Sequence, residues 1–272
     1  MRKMIPCLLF AGAAISGFVG MQLAPPAQAG SGRVMTPAQR FDGVTHPANP
    51  VVIQLFTSQG CSSCPPADML ANRLAKDDSL LVITRPVTYW DRLGWKDKLA
   101  REDNSRLQRA YAAKGNPGAG VYTPQIVVNG GAAAVGSREG DIRSLVRRAD
   151  RSGPTISAAT DASGQTLVSI SGKSDYMASV SLIALSSAET VRIGRGENGG
   201  RVMHYTNVVK AEQVLGSWRG KPKHFAIPAE NLDISGADTY AIVVQRPGAG
   251  PIVAAKLLDI KAVLKSSWHS GE

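Results

Sequence analysis

The stretch Val51-Val52-Ile53-Gln54-Leu55-Phe56-Thr57-Ser58-Gln59-Gly60-Cys61-Ser62-Ser63-Cys64 decides how this chain is read. Its first six residues form an almost continuous apolar run, suited to a central strand covered on both faces. Two thiols then follow at a spacing where they can close on each other. The chain holds three cysteines, and the remaining one, Cys7, lies in the amino-terminal leader. Once that leader is removed, Cys61 and Cys64 have no other intramolecular partner. A strand that runs into CxxC points first to redox chemistry. The pair cycles, binds metal, or closes a small inert loop.

Residues 1–29 read as a secretory signal. Arg2 and Lys3 make the positive start, Ile5 to Ala24 the apolar stretch, and Ala27-Gln28-Ala29 the small-x-small cleavage site. Gly12, Gly17, Gly20 and the Pro25-Pro26 pair interrupt the stretch where a membrane anchor would continue. No later segment has the ~20 apolar residues that a spanning helix needs. The mature chain is therefore expected in the periplasm or outside the cell, an oxidising setting in which disulfides persist.

The formal charge is +10, of which Arg2 and Lys3 contribute two. A basic balance of this size suits envelope polyanions, and Arg143, Arg147 and Arg148 read as the solvated face of a helix, so no nucleic-acid partner is expected. About 240 mature residues suffice for two compact domains with separate cores. Residues 30–50, with Pro37, Pro47 and Pro50, read as a linker.

Between residues 51 and 150 strand and helix patterns alternate. Met69, Leu70 and Leu74 place a helix over Ala67–Lys76 that begins near Pro66, because Pro66 disfavours helical geometry at Pro65. Leu80–Thr84, extended to Tyr89, makes a second strand, with a bulge or exposed stretch at Pro86. Leu99–Lys114 reads as a helix that stops at Gly115-Asn116-Pro117-Gly118. Ile126–Val128 and Ala132–Val135 form a hairpin around Asn129-Gly130-Gly131, and Arg138–Arg148 closes the unit as a helix. The order is β-α-β-α-β-β-α. From 154 to 262 short β-branched runs, among them Thr166–Ser171, Val180–Leu185, Arg201–Val209 and Tyr240–Gln245, predict a mostly-β sandwich domain. Residues 263–272 read as a tail. Gly194-Arg195-Gly196-Glu197-Asn198-Gly199-Gly200 is too rich in glycine for a helix and lacks the Lys-Ser/Thr of a phosphate loop, so it reads as a turn; Glu197 and His204 could face a partner.

The element order, with CxxC after the first strand and Thr123-Pro124 before the third, resembles the thioredoxin fold over residues 51–150. That resemblance implies a cis peptide bond at Pro124 and a loop that offers backbone to a substrate beside the sulfurs. It also implies a buried acid six residues before the first cysteine, a position held here by Leu55. A closer resemblance spans nearly the whole mature chain. The blocks 60–68 (GCSSCPPAD), 89–97 (YWDRLGWKD), 120–125 (GVYTPQ) and 196–201 (GENGGR) are similar to those of the secreted bacterial family called domain of unknown function 1223. The chain departs from that family just before Tyr89, where Pro86-Val87-Thr88 stands in place of a His and an Asp, so no role for those polar groups carries over.

Thiol chemistry needs one exposed, low-pKa sulfur and a second within reach. Cys61 is expected to attack and Cys64 to resolve, with Thr123 and Pro124 completing the catalytic set. A free thiol of pKa ~8.5 is only about 3% ionised at pH 7. A helix N-terminus lowers the pKa by roughly 0.2–1.5 units, which suits a reductant or isomerase better than a strong oxidant. Asp68, in the first helical turn, supports the helix and opposes a thiolate. Asp91 either accepts the resolving proton or is a surface acid. Trp90, at a strand end, covers the disulfide, grips a peptide or packs locally, and Tyr122 carries the same alternatives.

The expected function is thus an exported thiol-disulfide oxidoreductase or thiol-dependent redox protein. Its partners would be protein thiols or disulfides, with no bound cofactor and no metal, and its oligomeric state stays open. One alternative is a copper-handling protein, in which the two thiolates bind Cu(I) and one of His46, His204, His224 or His269 completes the site. Another is a non-enzymatic envelope module with a structural disulfide.

Overall fold

The computed structural model describes residues 49–258. The leader with Cys7, residues 30–48, the 263–272 tail, His46 and His269 lie outside them. Strand β1 (Val51–Thr57) is buried along its whole length because both of its faces are covered. Val51, Ile53 and Leu55 pack under helices α1 (Pro65–Leu74) and α3 (Glu139–Arg147). The alternate residues point the other way, as a strand's period of two requires. Val52 enters a core shared with the carboxyl-terminal strands, and Phe56 packs on Tyr111 of α2 (Glu102–Ala113).

β1 pairs in parallel with β2 (Leu80–Pro86) and antiparallel with β3 (Gln125–Val128), which turns into β4 (Ala133–Val135). The turn uses Asn129 and Gly130, both at positive φ, the geometry that joins strands by a tight primed turn. The order β-α-β-α-β-β-α thus stands as read, with helix ends shifted by a few residues. α1 starts at Pro65 rather than near Pro66. Cys64 already has helical φ and ψ, and its carbonyl accepts from the N–H groups of Ala67 and Asp68. Two prolines at the start of a helix forgo only donors that would be unpaired there anyway. Pro86 makes neither a bulge nor an exposed stretch. It is the buried last residue of β2, opposite Thr57, where the missing N–H interrupts no ladder.

The carboxyl-terminal half corrects the expected separation into two bodies with their own cores. β7 (Ala178–Arg192), β8 (Val202–Trp218), β10 (Thr239–Gln245) and β11 (Ile252–Leu258) extend the first sheet, giving eight strands in the order β11-β10-β7-β8-β2-β1-β3-β4. The join is narrow. Thr84 of β2 registers with Val208 of β8, its hydroxyl donates to the Thr206 carbonyl at 2.6 Å, and Asn207 donates to the Val82 carbonyl at 2.9 Å. A common apolar core of Val52, Leu81, Ile83, Ile183, Val209 and Val243 backs it. A buried polar chain reinforces it: Arg85 donates to Gln54, Asn104 and Glu212, and the Tyr111 hydroxyl accepts from both Gln54 and Gln245. The described residues accordingly belong to one compact unit.

A second, three-stranded sheet of β5 (Thr155–Thr160), β6 (Thr166–Ser171) and β9 (Lys223–Ile227) covers the far end. It packs Ile156, Val168, Ile170 and Phe225 against Val180, Leu182, Tyr240 and Ile242 of the large sheet. Two β layers do face each other here. The larger of them, however, is continuous with the sheet that carries CxxC.

Candidate functional site

β1 ends at Thr57, and the chain turns through Ser58-Gln59-Gly60 before Cys61. Cys61 N–H donates to the Ser58 carbonyl and Cys64 N–H to the Cys61 carbonyl, so the loop is wound tightly onto the start of α1. Cys61 and Cys64 are joined as a disulfide, with Cα atoms 5.4 Å apart. Neither cysteine is exposed, both at 0%, whereas Ser62 and Ser63 between them face solvent. This corrects the expectation of an exposed attacking sulfur. The Ser63 hydroxyl lies 3.4 Å from the Cys61 sulfur, to which it is the donor, since a disulfide sulfur has no proton.

The glycine-rich turn, the tip of the long β7–β8 hairpin, is bonded to the CxxC loop. These strands run 15 and 17 residues and carry residues 193–201 onto the CxxC loop. Asn198, 1% exposed, donates from one amide nitrogen to the carbonyls of Gln59 and Cys61, each at 2.9 Å. The Ser62 N–H donates to Glu197 Oε2 at 3.3 Å. The Trp95 indole lies beside Gly194, where an added Cβ would sit 3.1 Å from the ring. The same indole N–H donates to the Gln59 side chain at 2.8 Å. Farther down, Asn72 of α1 donates to the His204 carbonyl, tying helix to hairpin. The His204 ring is paired across the hairpin with Thr190, not turned toward the sulfurs.

Thr123 and Pro124 approach from the other side. Their peptide bond is cis. Gly136 marks how closely the elements meet: a Cβ there would lie 3.0 Å from Pro124, 3.1 Å from Ala67 of α1 and 3.1 Å from Leu55 of β1. Trp90 joins this loop to the CxxC loop, because its indole N–H donates to the Thr123 hydroxyl at 2.8 Å and its Cβ adjoins Gly60. The Tyr122 hydroxyl donates to the Gly118 carbonyl of its own loop. Asp91 spends one carboxylate oxygen on the Asp97 N–H, which holds the 91–97 turn.

Beneath the disulfide lies a group of buried polar side chains that sequence reasoning did not assemble. Asp68, 2% exposed, accepts from the Thr57 hydroxyl at 2.8 Å through one oxygen. Burial pushes its carboxyl well above the usual range, the Thr57 bond offsets part of this, and nearby Asp97 adds to the rise. Asp97 accepts from the N–H groups of Gln59 and Leu99, and burial raises its pKa too. Tyr205 of β8 is held protonated by burial and by the fields of Asp68 and Asp97. The raised pKa makes Asp68 easier to protonate than an ordinary acid in a first helical turn. The sequence held one clue to this arrangement: Asp68, Asp97 and Asn198 all fall within the blocks 60–68, 89–97 and 196–201.

Residues 52–245 match the family described as a protein of unknown function, DUF1223. The chain belongs to this family. A crystal structure of a protein from Agrobacterium tumefaciens is similar with a TM-score of 0.68 and 27% identity, over 79% of this chain and 96% of that one. HBP35 of Porphyromonas gingivalis is similar with a TM-score of 0.47 and 12% identity, over 78% of this chain and 75% of that one. Among curated proteins none matches.

Proposed function

We propose that this member of the family is an exported thiol-disulfide oxidoreductase whose redox centre is Cys61–Cys64, set in a thioredoxin-like first half. The observation that carries the reading is the disulfide itself, closed at the first turn of α1 and adjoined by the Thr123–Pro124 loop through Trp90. The leader pattern of residues 1–29 supports export, and among the described residues no helix is long and apolar enough to cross a membrane.

The chemistry is an exchange of sulfur bonds. A partner thiolate attacks the Cys61 sulfur, a new S–S bond forms, and the Cys61–Cys64 bond breaks with its electron pair moving to Cys64. Cys64 then takes up a proton. A second partner thiolate attacks the partner's own sulfur in the mixed disulfide, and Cys61 leaves as thiolate. Two electrons have passed to the protein, and the reverse sequence reduces a partner disulfide. The chain offers specific help. Ser63 donates to the Cys61 sulfur, which favours its anionic form. Asp68 stands four residues after Cys64 on the buried face of α1, where side chains are neighbours about 5–6 Å apart at Cβ, and its raised pKa suits it to supply a proton. Asp91, committed to the backbone, is the poorer candidate. Since both sulfurs are buried, exchange requires the CxxC loop to become accessible to the partner.

The copper reading is weaker on donor chemistry. Among the described residues no three His, Cys, Asp or Glu side chains gather at metal-binding distance, and the rings of His204 and His224 pair with Thr190 and Ser169. The deciding experiment is a redox titration of the mature protein with trapping by Cys64→Ser. The expected potential is roughly −270 to −120 mV, with mixed disulfides accumulating through Cys61. A potential below about −300 mV with no trapped partner would identify an inert structural bridge.

A further inference from the structure

The surface beside the disulfide holds a cleft of about 500 Å³ lined by Gly60, Trp90, Leu93, Trp95, Gly196 and Glu197. We propose that this cleft binds a basic side chain, lysine or arginine, of a peptide partner whose cysteine engages the Cys61–Cys64 centre. The inference rests on the thiol-exchange reading for why a peptide arrives, and on the cleft alone for what it must carry.

Both tryptophans have their indole N–H groups committed to the protein, Trp90 to Thr123 and Trp95 to Gln59. What they present to the cleft is ring carbon and no donor. Leu93, 58% exposed, adds an aliphatic wall. Glu197 is the only charged residue lining the cleft. The residue is exposed, its carboxylate accepts from the Ser62 N–H, and no Lys or Arg lies within ion-pairing distance of it among the described residues. Aromatic carbon with one carboxylate is complementary to a side chain that has an apolar stem and a cationic head. A neutral side chain would desolvate Glu197 without compensation, and an acidic one would be repelled. Gly60 directly precedes Cys61 and Glu197 holds Ser62, so the occupant's place in the partner flanks the reacting cysteine.

The test uses two short peptides, identical except that lysine or glutamate flanks a central serine standing for cysteine, titrated calorimetrically into the oxidised protein at low ionic strength. The lysine peptide should bind about tenfold more tightly. Glu197→Gln keeps an acceptor for Ser62 and removes the charge, so the preference should fall to about twofold or less. Arg195→Gln, on the same tip but outside the cleft, should leave it unchanged. Equal binding, no binding by either peptide, or a preference that survives Glu197→Gln overturns the inference. Cysteine versions of the peptides, offered as disulfides to reduced protein, test the exchange reading separately. If neither is reduced while the calorimetric preference holds, the redox reading falls and the basic-side-chain site stands.

Discussion

The two ends of the eight-stranded sheet are built on different terms. At the far end, under the three-stranded sheet, the core is apolar and its few polar atoms are paired: the Trp218 indole donates to the Lys221 carbonyl at 2.8 Å and the Tyr240 hydroxyl to the Leu232 carbonyl at 2.5 Å. At the CxxC end, Gln59 Nε2, Asp68 Oδ2, Asn198 Oδ1 and the Tyr205 hydroxyl are buried without a partner in the chain, four of the five such atoms among the described residues. Each such atom costs about 1–3 kcal/mol relative to a paired one. Their concentration around one disulfide sets this end apart from the apolar one.

That contrast sets the expected size of substitutions. Trp218→Ala, at a position 1% exposed, should cost about 3–5 kcal/mol in urea unfolding and leave the Cys61–Cys64 potential unchanged. A potential that shifted with it would mean the two ends are coupled more tightly than the narrow β2–β8 join suggests. Asn198→Ala strips two carbonyls of their donor and should cost about 1–3 kcal/mol, with faster reduction of the disulfide by a small thiol because the tip no longer holds the CxxC loop. An unchanged reduction rate would show that the tip is not the cover that matters.

Asp68→Asn should give a change whose sign depends on pH. A carboxyl whose folded pKa is raised binds its proton longer in the folded state than in the unfolded chain. Below the unfolded value, near 3.8, it costs nothing through ionisation. As pH climbs from there toward the folded pKa, the unfolded chain ionises first and stability is lost. Asparagine has no such loss and still accepts from Thr57, so the variant should match or trail the wild type near pH 4 and exceed it at neutral pH. Parallel stability-against-pH curves for the two proteins would show that Asp68 does not titrate abnormally.

Much of the first half was legible because its signals are local. The apolar run of β1, the Asn129–Gly130 turn and the amphipathic spacing of the helices each follow from a few adjacent residues, and the structure departs from them by one to three residues at helix ends. In the second half the strand runs were visible, while their destination was not. Val180–Leu185 and Arg201–Val209 are fragments of strands 15 and 17 residues long. Their polar outer segments, such as Glu189–Arg192, obscure the length that carries the hairpin tip to Cys61. Asp68 likewise looks in sequence like any acid in a first helical turn. Only tertiary packing, which brings β8 against α1 and Asp97 close by, removes its water and raises its pKa.

By itself the sequence determined that two cysteines stand after a buried strand at the head of a helix, since period-two burial, proline at the helix start and the CxxC spacing are all set within about 25 consecutive residues. The tertiary structure decided that those sulfurs are covered, that Asn198 and Glu197 from more than 130 residues away hold the CxxC loop, and that one sheet joins what composition divides. The physical reason is range. A hydrogen bond to a carbonyl or a carboxylate's loss of water depends on which distant chain arrives, and strand pairing between Thr84 and Val208 leaves no local trace in either segment.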